Sequence, residues 1–183
     1  MDYIVGDQLR VKCAERNRSQ MFGCRDVVMC TCLHEDMKII SVLSQKGGAG
    51  KTTLVVHLAV AALIDGKSTA VIDLDAQANA AEWGDSRELD EPAVTSAQAT
   101  RLPKILEAAK NASADLVIID TPARSESTAL AAAKCADLVL IPCRPSVFDL
   151  QAIRMTADLT KLVNVPTRVV INAAQSSCQH RPS

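Results

Sequence analysis

The segment Lys46-Gly47-Gly48-Ala49-Gly50-Lys51-Thr52-Thr53 constrains the fold of this 183-residue chain more than any other. It follows a β-branched apolar run at 38–44 (KIISVLS) and precedes an apolar stretch at 54–64. It therefore reads as a glycine-rich turn from a strand into a helix. The spacing is a variant of G-x-x-x-x-G-K-[ST]. Gly47, Gly48 and Gly50 allow tight conformations in which successive N–H groups turn inward. With Ala49, Thr53 and the start of the helix, those amides cradle phosphate oxygens. Lys51 is placed for the β- and γ-phosphates, and the Thr52 hydroxyl for magnesium. The ligands read from this loop are ATP and Mg2+.

The rest of the chain supports the same architecture. Hydrophobic residues make up 48% and aromatics only 2%, so the core must be built from Ala, Val, Leu and Ile. Pattern and stop signals predict helices at 52–64, 76–83, 102–111, 125–134 and 148–162. They predict strands at 38–44, 68–74, 115–120, 137–142 and 167–172, with 85–99 as loop. Strands alternating with helices imply an α/β fold of the P-loop NTPase class. Its sheet is mostly parallel, with right-handed crossovers and helices on both faces. A fifth buried strand without a closing helix would leave one sheet face poorly covered.

Three carboxylates fall where such a sheet binds ligands, beyond the carboxyl ends of its strands. Asp73 and Asp75 end the second strand at alternate positions, and Asp120 ends the third. Phosphoryl transfer needs mainly positioning and charge neutralisation, which acids around a magnesium ion supply. Asp73 and Asp120 are expected to support the ion through its waters.

Three segments in order, QKGGAGKTT, VIDLDAQAN and LVIIDTPA, resemble the ParA/MinD family of deviant Walker A ATPases. The resemblance covers residues 38 to 172. It implies an ATP-dependent homodimer that sandwiches two nucleotides, with Lys46 reaching across to the other subunit's ATP. It gives Asp75 the task of orienting the attacking water and Asn172 that of reading adenine. It further implies non-specific DNA binding, a centromere-binding partner protein that stimulates hydrolysis, and a role in plasmid or chromosome partition. The chain departs from the family pattern at Ala76, where Pro is usual, and at Thr121-Pro122-Ala123-Arg124. Thr121 is still expected to sense the γ-phosphate.

The formal net charge of −1 provides no global attraction to nucleic acid. A DNA surface would need a local patch, for which Arg144, Arg154, Lys161 and Arg168 are the candidates. No apolar run is long enough to span a bilayer, and the longest is interrupted by His57. No membrane partner is expected, since a basic amphipathic C-terminal helix is also absent. Seven Cys without a secretory leader suggest reduced thiols and a cytoplasmic protein, and the DNA binding that the resemblance implies would associate it with the nucleoid.

Residues 1–36 lack periodicity and are read as an irregular segment, disordered or foreign to the domain. Their Cys13, Cys24, Cys30, Cys32 and His34 do not follow a paired C-x2-C zinc design. The domain is assigned to 37–183, beginning at Met37 and incomplete at its C-terminal end. Cys135 and Cys143 are read as small apolar core residues. Two alternatives stand beside partition: a remnant that only binds nucleotide, and a relative that positions another cargo.

Overall fold

The computed structural model describes residues 37–173. The cluster of Cys13, Cys24, Cys30, Cys32 and His34, and the tail at 174–183, lie outside the described residues. The first apolar run forms β1 (Lys38–Val42), and the glycine-rich turn leads into α1 (Lys51–Ile64). Then come β2 (Thr69–Asp73), α2 (Asn79–Asp85), β3 (Ala93–Ser96), α3 (Leu102–Asn111) and β4 (Leu116–Asp120). The order closes with α4 (Glu126–Cys135), β5 (Leu138–Cys143), α5 (Val147–Leu162) and β6 (Thr167–Ile171).

Local chemistry sets several of these boundaries. The stop expected after α1 is built on Gly66, which takes φ 75, while the Lys67 N–H returns to the Ala62 carbonyl at 3.0 Å. Pro103 sits in the first turn of α3, where its missing N–H costs nothing. That helix buries Leu102 and Leu106 on one face.

Six parallel strands lie in the order β3-β2-β4-β1-β5-β6. Among the described residues there is one more strand than the sequence pattern predicts. Residues 93–96 (AVTS) fall inside the expected loop but pair with β2 from Ala70↔Ala93 to Asp73↔Ser96. This strand has a single neighbour, and most of it is exposed, so it never needed the apolar run that marks a buried strand. The helix predicted from residue 76 starts at Asn79, because the backbone first makes a turn ending at Ala78 with φ 50.

Alternate residues of the central strands feed two apolar layers. Val117 and Ile119 of β4 join Leu43, Ile72, Val139 and Ile141 beneath α3 and α4. Ile118, between them, joins Val42 and Val71 beneath Val55 and Ala59 of α1 and Ala80 of α2. Three consecutive β4 residues are thus fully buried on opposite faces. Burial of each contributes about 1.5–3 kcal/mol. Among the described residues β6 is an edge strand. Val169 and Ile171 are 49% and 65% exposed, although they register with the buried Ile141 and Cys143.

Candidate nucleotide-binding site

Parallel pairing carries the ends of β1, β2, β4 and β5 to one edge, and the glycine-rich loop meets that edge at β1. Gly48 and Gly50 take φ 72 and 87, a region that residues with a Cβ rarely adopt. Gly50 is the N-cap of α1, and neither a capping side chain nor an acidic residue occupies the first turn of that helix. Its leading amides and positive dipole end are therefore left without a capping or acidic side chain, as an anion site requires. The Ser44 hydroxyl lies 3.3 Å from both the amide nitrogen and the carbonyl oxygen of Lys46, which pins the loop entrance. Lys46, Gly47 and Gly48 are exposed, whereas Ala49 is buried.

Lys51 opens α1 and is only 8% exposed. Burial lowers its pKa, and the opposing charges of Asp120 and Asp75 offset part of that effect. The next residue, Thr52, donates its hydroxyl to Asp120 Oδ2 at 2.7 Å. Burial is the main reason that Asp120 is pushed up to about 6, and the neighbouring Asp73 adds to it. The Thr52 hydrogen bond, Lys51 and the Thr121 N–H act in the opposite direction. Asp120 Oδ1 is buried with no hydrogen-bond partner.

An orphaned carboxylate oxygen beside a hydroxyl is a donor set for a hard cation that keeps most of its water. Magnesium is such a cation, bound by one or two protein groups and substrate phosphate. No group of three His, Cys, Asp or Glu gathers among the described residues, so an all-protein metal cage is not on offer there. Thr52 and Asp120 fit magnesium.

Asp73, expected to support magnesium through its waters, also has a structural task. The register sets it beside Asp120, and it is fully buried. Its Oδ1 accepts the Asp75 N–H at 2.9 Å, and its Oδ2 accepts those of Ala80 and Ala81 at 2.9 and 3.2 Å. Both oxygens are engaged by backbone amides, and what Asp73 holds is the turn between β2 and α2. Asp75 rides on that turn, half-buried, with Oδ1 accepting the Gln77 N–H at 3.0 Å. Thr121 donates its hydroxyl to the Val42 carbonyl at 2.8 Å, so its proton serves the sheet rather than a γ-phosphate.

Asn172 lies one residue past β6. Its Nδ2 donates to the Ala49 carbonyl at 3.2 Å, inside the loop. Among the basic candidates, Arg144 lies beside the loop, with Nη2 3.7 Å from where a Gly48 Cβ would stand. Lys161 is paired with Asp158 at 3.0 Å, and Arg154 and Arg168 are exposed. Arg124 is exposed at φ 63. Cys143 is buried and Cys135 half-buried, with burial raising the Cys135 pKa.

Two features of the site escape a reading of the sequence. The bracing role of Asp73 has a weak signal, because an Asp two residues before the next Asp suits an Asx turn. The contact of residue 172 with residue 49 has none.

The family model for the CobQ/CobB/MinD/ParA nucleotide binding domain matches residues 40–181. Maintenance of carboxysome distribution protein A of Gloeobacter kilaueensis is 37% identical over 115 residues, 62% of this chain and 52% of that protein. Protein ParA of Rhizobium radiobacter is 31% identical over 115 residues, 62% of this chain and 51% of that protein. The chain spans about half the length of these curated relatives. Among solved structures, the septum site-determining protein MinD of Pyrococcus horikoshii, complexed with Mg-ADP, superposes with a TM-score of 0.62 at 20% identity. That match covers 74% of this chain and 70% of the other. No helix of the described residues is long and apolar enough to cross a membrane.

Proposed function

This chain belongs to the CobQ/CobB/MinD/ParA nucleotide-binding family, and from that premise we propose that it binds Mg-ATP, pairs with a second copy and hydrolyses the nucleotide. The cycle would drive partition of plasmid or chromosome cargo through non-specific DNA binding. The observation that carries this reading is the Thr52–Asp120 hydrogen bond beside the buried Lys51, at the open N-terminus of α1.

In this reading the amides from Gly47 to Thr53 and the Lys51 ammonium hold the β- and γ-phosphates. Thr52 and Asp120 hold magnesium, which when bound neutralises charge on the phosphate oxygens. Asp75 orients the attacking water, held in place by the turn that Asp73 braces. Lys46, exposed at the loop entrance, reaches the nucleotide of the second copy. Exposed Arg154 and Arg168 contribute phosphate contacts to DNA, and a centromere-binding protein stimulates turnover. The protein would work in the cytoplasm, at the nucleoid. The similarity to a carboxysome distribution protein favours a second reading for the cargo: a large assembly rather than DNA itself.

Comparing Lys46→Ala with Lys51→Ala tests the cycle. Lys51→Ala is expected to lose ATP binding outright. Lys46→Ala is expected to bind ATP as a monomer in light scattering, with turnover down roughly 100-fold, in keeping with charges supplied in trans. ATP-dependent pairing that survives Lys46→Ala contradicts the cross-subunit role. A wild-type chain that binds ATP but neither pairs nor hydrolyses it supports the nucleotide-binding remnant instead.

A further inference from the structure

We propose that Asn172 is a positioning residue that locks the Ala49–Gly50 peptide in its phosphate-binding orientation, so that β6 sets affinity for triphosphates whatever base they carry. The inference rests on the ATP-site reading above and assigns this residue work beyond recognition of adenine.

Three hydrogen bonds immobilise Asn172. Its backbone N–H donates to the Cys143 carbonyl at 2.7 Å, which extends the β5–β6 pairing by one step. Its Oδ1 accepts the Ala173 N–H at 2.9 Å. Its Nδ2 donates to the Ala49 carbonyl at 3.2 Å. The Ala173 contact fixes which end of the amide is nitrogen, because a flipped amide would set two donors against each other.

The consequence follows from peptide geometry. In a planar trans peptide the carbonyl oxygen and the next N–H point in opposite directions. Holding the Ala49 oxygen against Asn172 therefore aims the Gly50 N–H away from Asn172. In the ATP-site reading that amide is one of the donors to phosphate. Gly50 is also barred from carrying a side chain, because a Cβ there would collide with the Asn172 amide. Its φ of 87 and the amide packed against its Cα make glycine necessary on two counts. A loop fixed before the ligand arrives loses less conformational entropy on binding.

The same bonds limit what Asn172 can offer a base. Its oxygen already accepts one bond and one of its two amide protons is committed, which leaves one lone pair and one proton for a ligand. A residue acting mainly on the loop should influence every ligand that places phosphates there.

The test uses the full chain, with wild type, Asn172→Ala and Asn172→Asp, titrated by calorimetry. The probes are Mg-ATP, Mg-GTP and inorganic tripolyphosphate with magnesium. Asn172→Asp keeps the size of the side chain and the acceptor for Ala173 but removes the donor to Ala49, so it tests the bond if the alanine variant unfolds. Both variants are expected to bind ATP and tripolyphosphate more weakly by the same factor, about tenfold for one lost hydrogen bond. Loss confined to ATP, with tripolyphosphate binding unchanged, overturns the proposal in favour of base reading. Variants that bind all probes like wild type overturn it as well. A wild-type chain that binds none of the three overturns the phosphate site itself and the brace with it.

Discussion

Asp75→Ala is expected to leave the binding of Mg-ATP in place and to slow its hydrolysis sharply. The fall in turnover is expected to be about 100- to 1,000-fold, the range seen when a preorganised polar group is removed from a reacting centre. Affinity should change little or rise by up to about threefold. Asp75 makes none of the contacts among Thr52, Asp120 and Lys51 that hold the ligand. Its charge lies close enough to influence Lys51, and so opposes the phosphates that Lys51 attracts. Besides the Gln77 N–H bond, what it contributes in the proposed cycle is the orientation of water, supplied through the turn anchored on Asp73. Steady-state phosphate release, run beside an ATP titration, checks both halves. Turnover within threefold of wild type removes Asp75 from the mechanism.

Asp120→Asn has two effects of opposite sign. In the nucleotide-free protein, burial raises the Asp120 pKa to about 6 from an ordinary 3.8. Between those values the folded state holds the proton more tightly than the unfolded chain. Stability therefore falls as pH rises through that window, and above 6 the full cost of the buried charge is present. That cost is about 3 kcal/mol at most. Asparagine carries no charge and keeps an oxygen for Thr52. The variant should be more stable than wild type in urea at pH 7.5 with chelator present, and the gain should shrink toward pH 5. With magnesium and ATP the order reverses, because the carboxylate is then neutralised by the ion. Affinity for Mg-ATP should drop at least about tenfold, the loss expected when a charged partner is removed from an ion. A variant less stable than wild type at both pH values contradicts the account of the buried charge.

The loop, the strand before it and the helix after it were legible because glycine, lysine and threonine at fixed spacing have few other uses. The central strands were legible for a related reason. Residues 116–119 (LVII) and 138–141 (LVLI) are apolar on consecutive positions, which only a strand buried on both faces needs. The strand at 93–96 was hidden because an edge strand makes smaller demands on composition. The start of α2 was displaced because Asp73 and Asp75 bond to nearby backbone amides, and those bonds favour a turn over a helix. Asp73 and Asp120 looked alike in sequence, each an acid ending a strand. The structure separates them by their neighbours: three amides for Asp73, one hydroxyl and an orphaned oxygen for Asp120. Asn172 shows the limit of local reading. A residue 123 positions from Ala49 reaches it only because β6 lies beside β5 and β5 beside β1.

The central claim is that the loop from Lys46 to Thr53 holds the triphosphate of Mg-ATP, with Lys51, Thr52 and Asp120 as its charged and polar contacts. Calorimetric titration of the chain with ATP, with and without magnesium and beside Lys51→Ala, tests it most directly. The account predicts saturable binding of one ATP per chain that weakens when magnesium is chelated and disappears in Lys51→Ala. Binding that is indifferent to both magnesium and Lys51, or no binding by the wild-type chain, would contradict it.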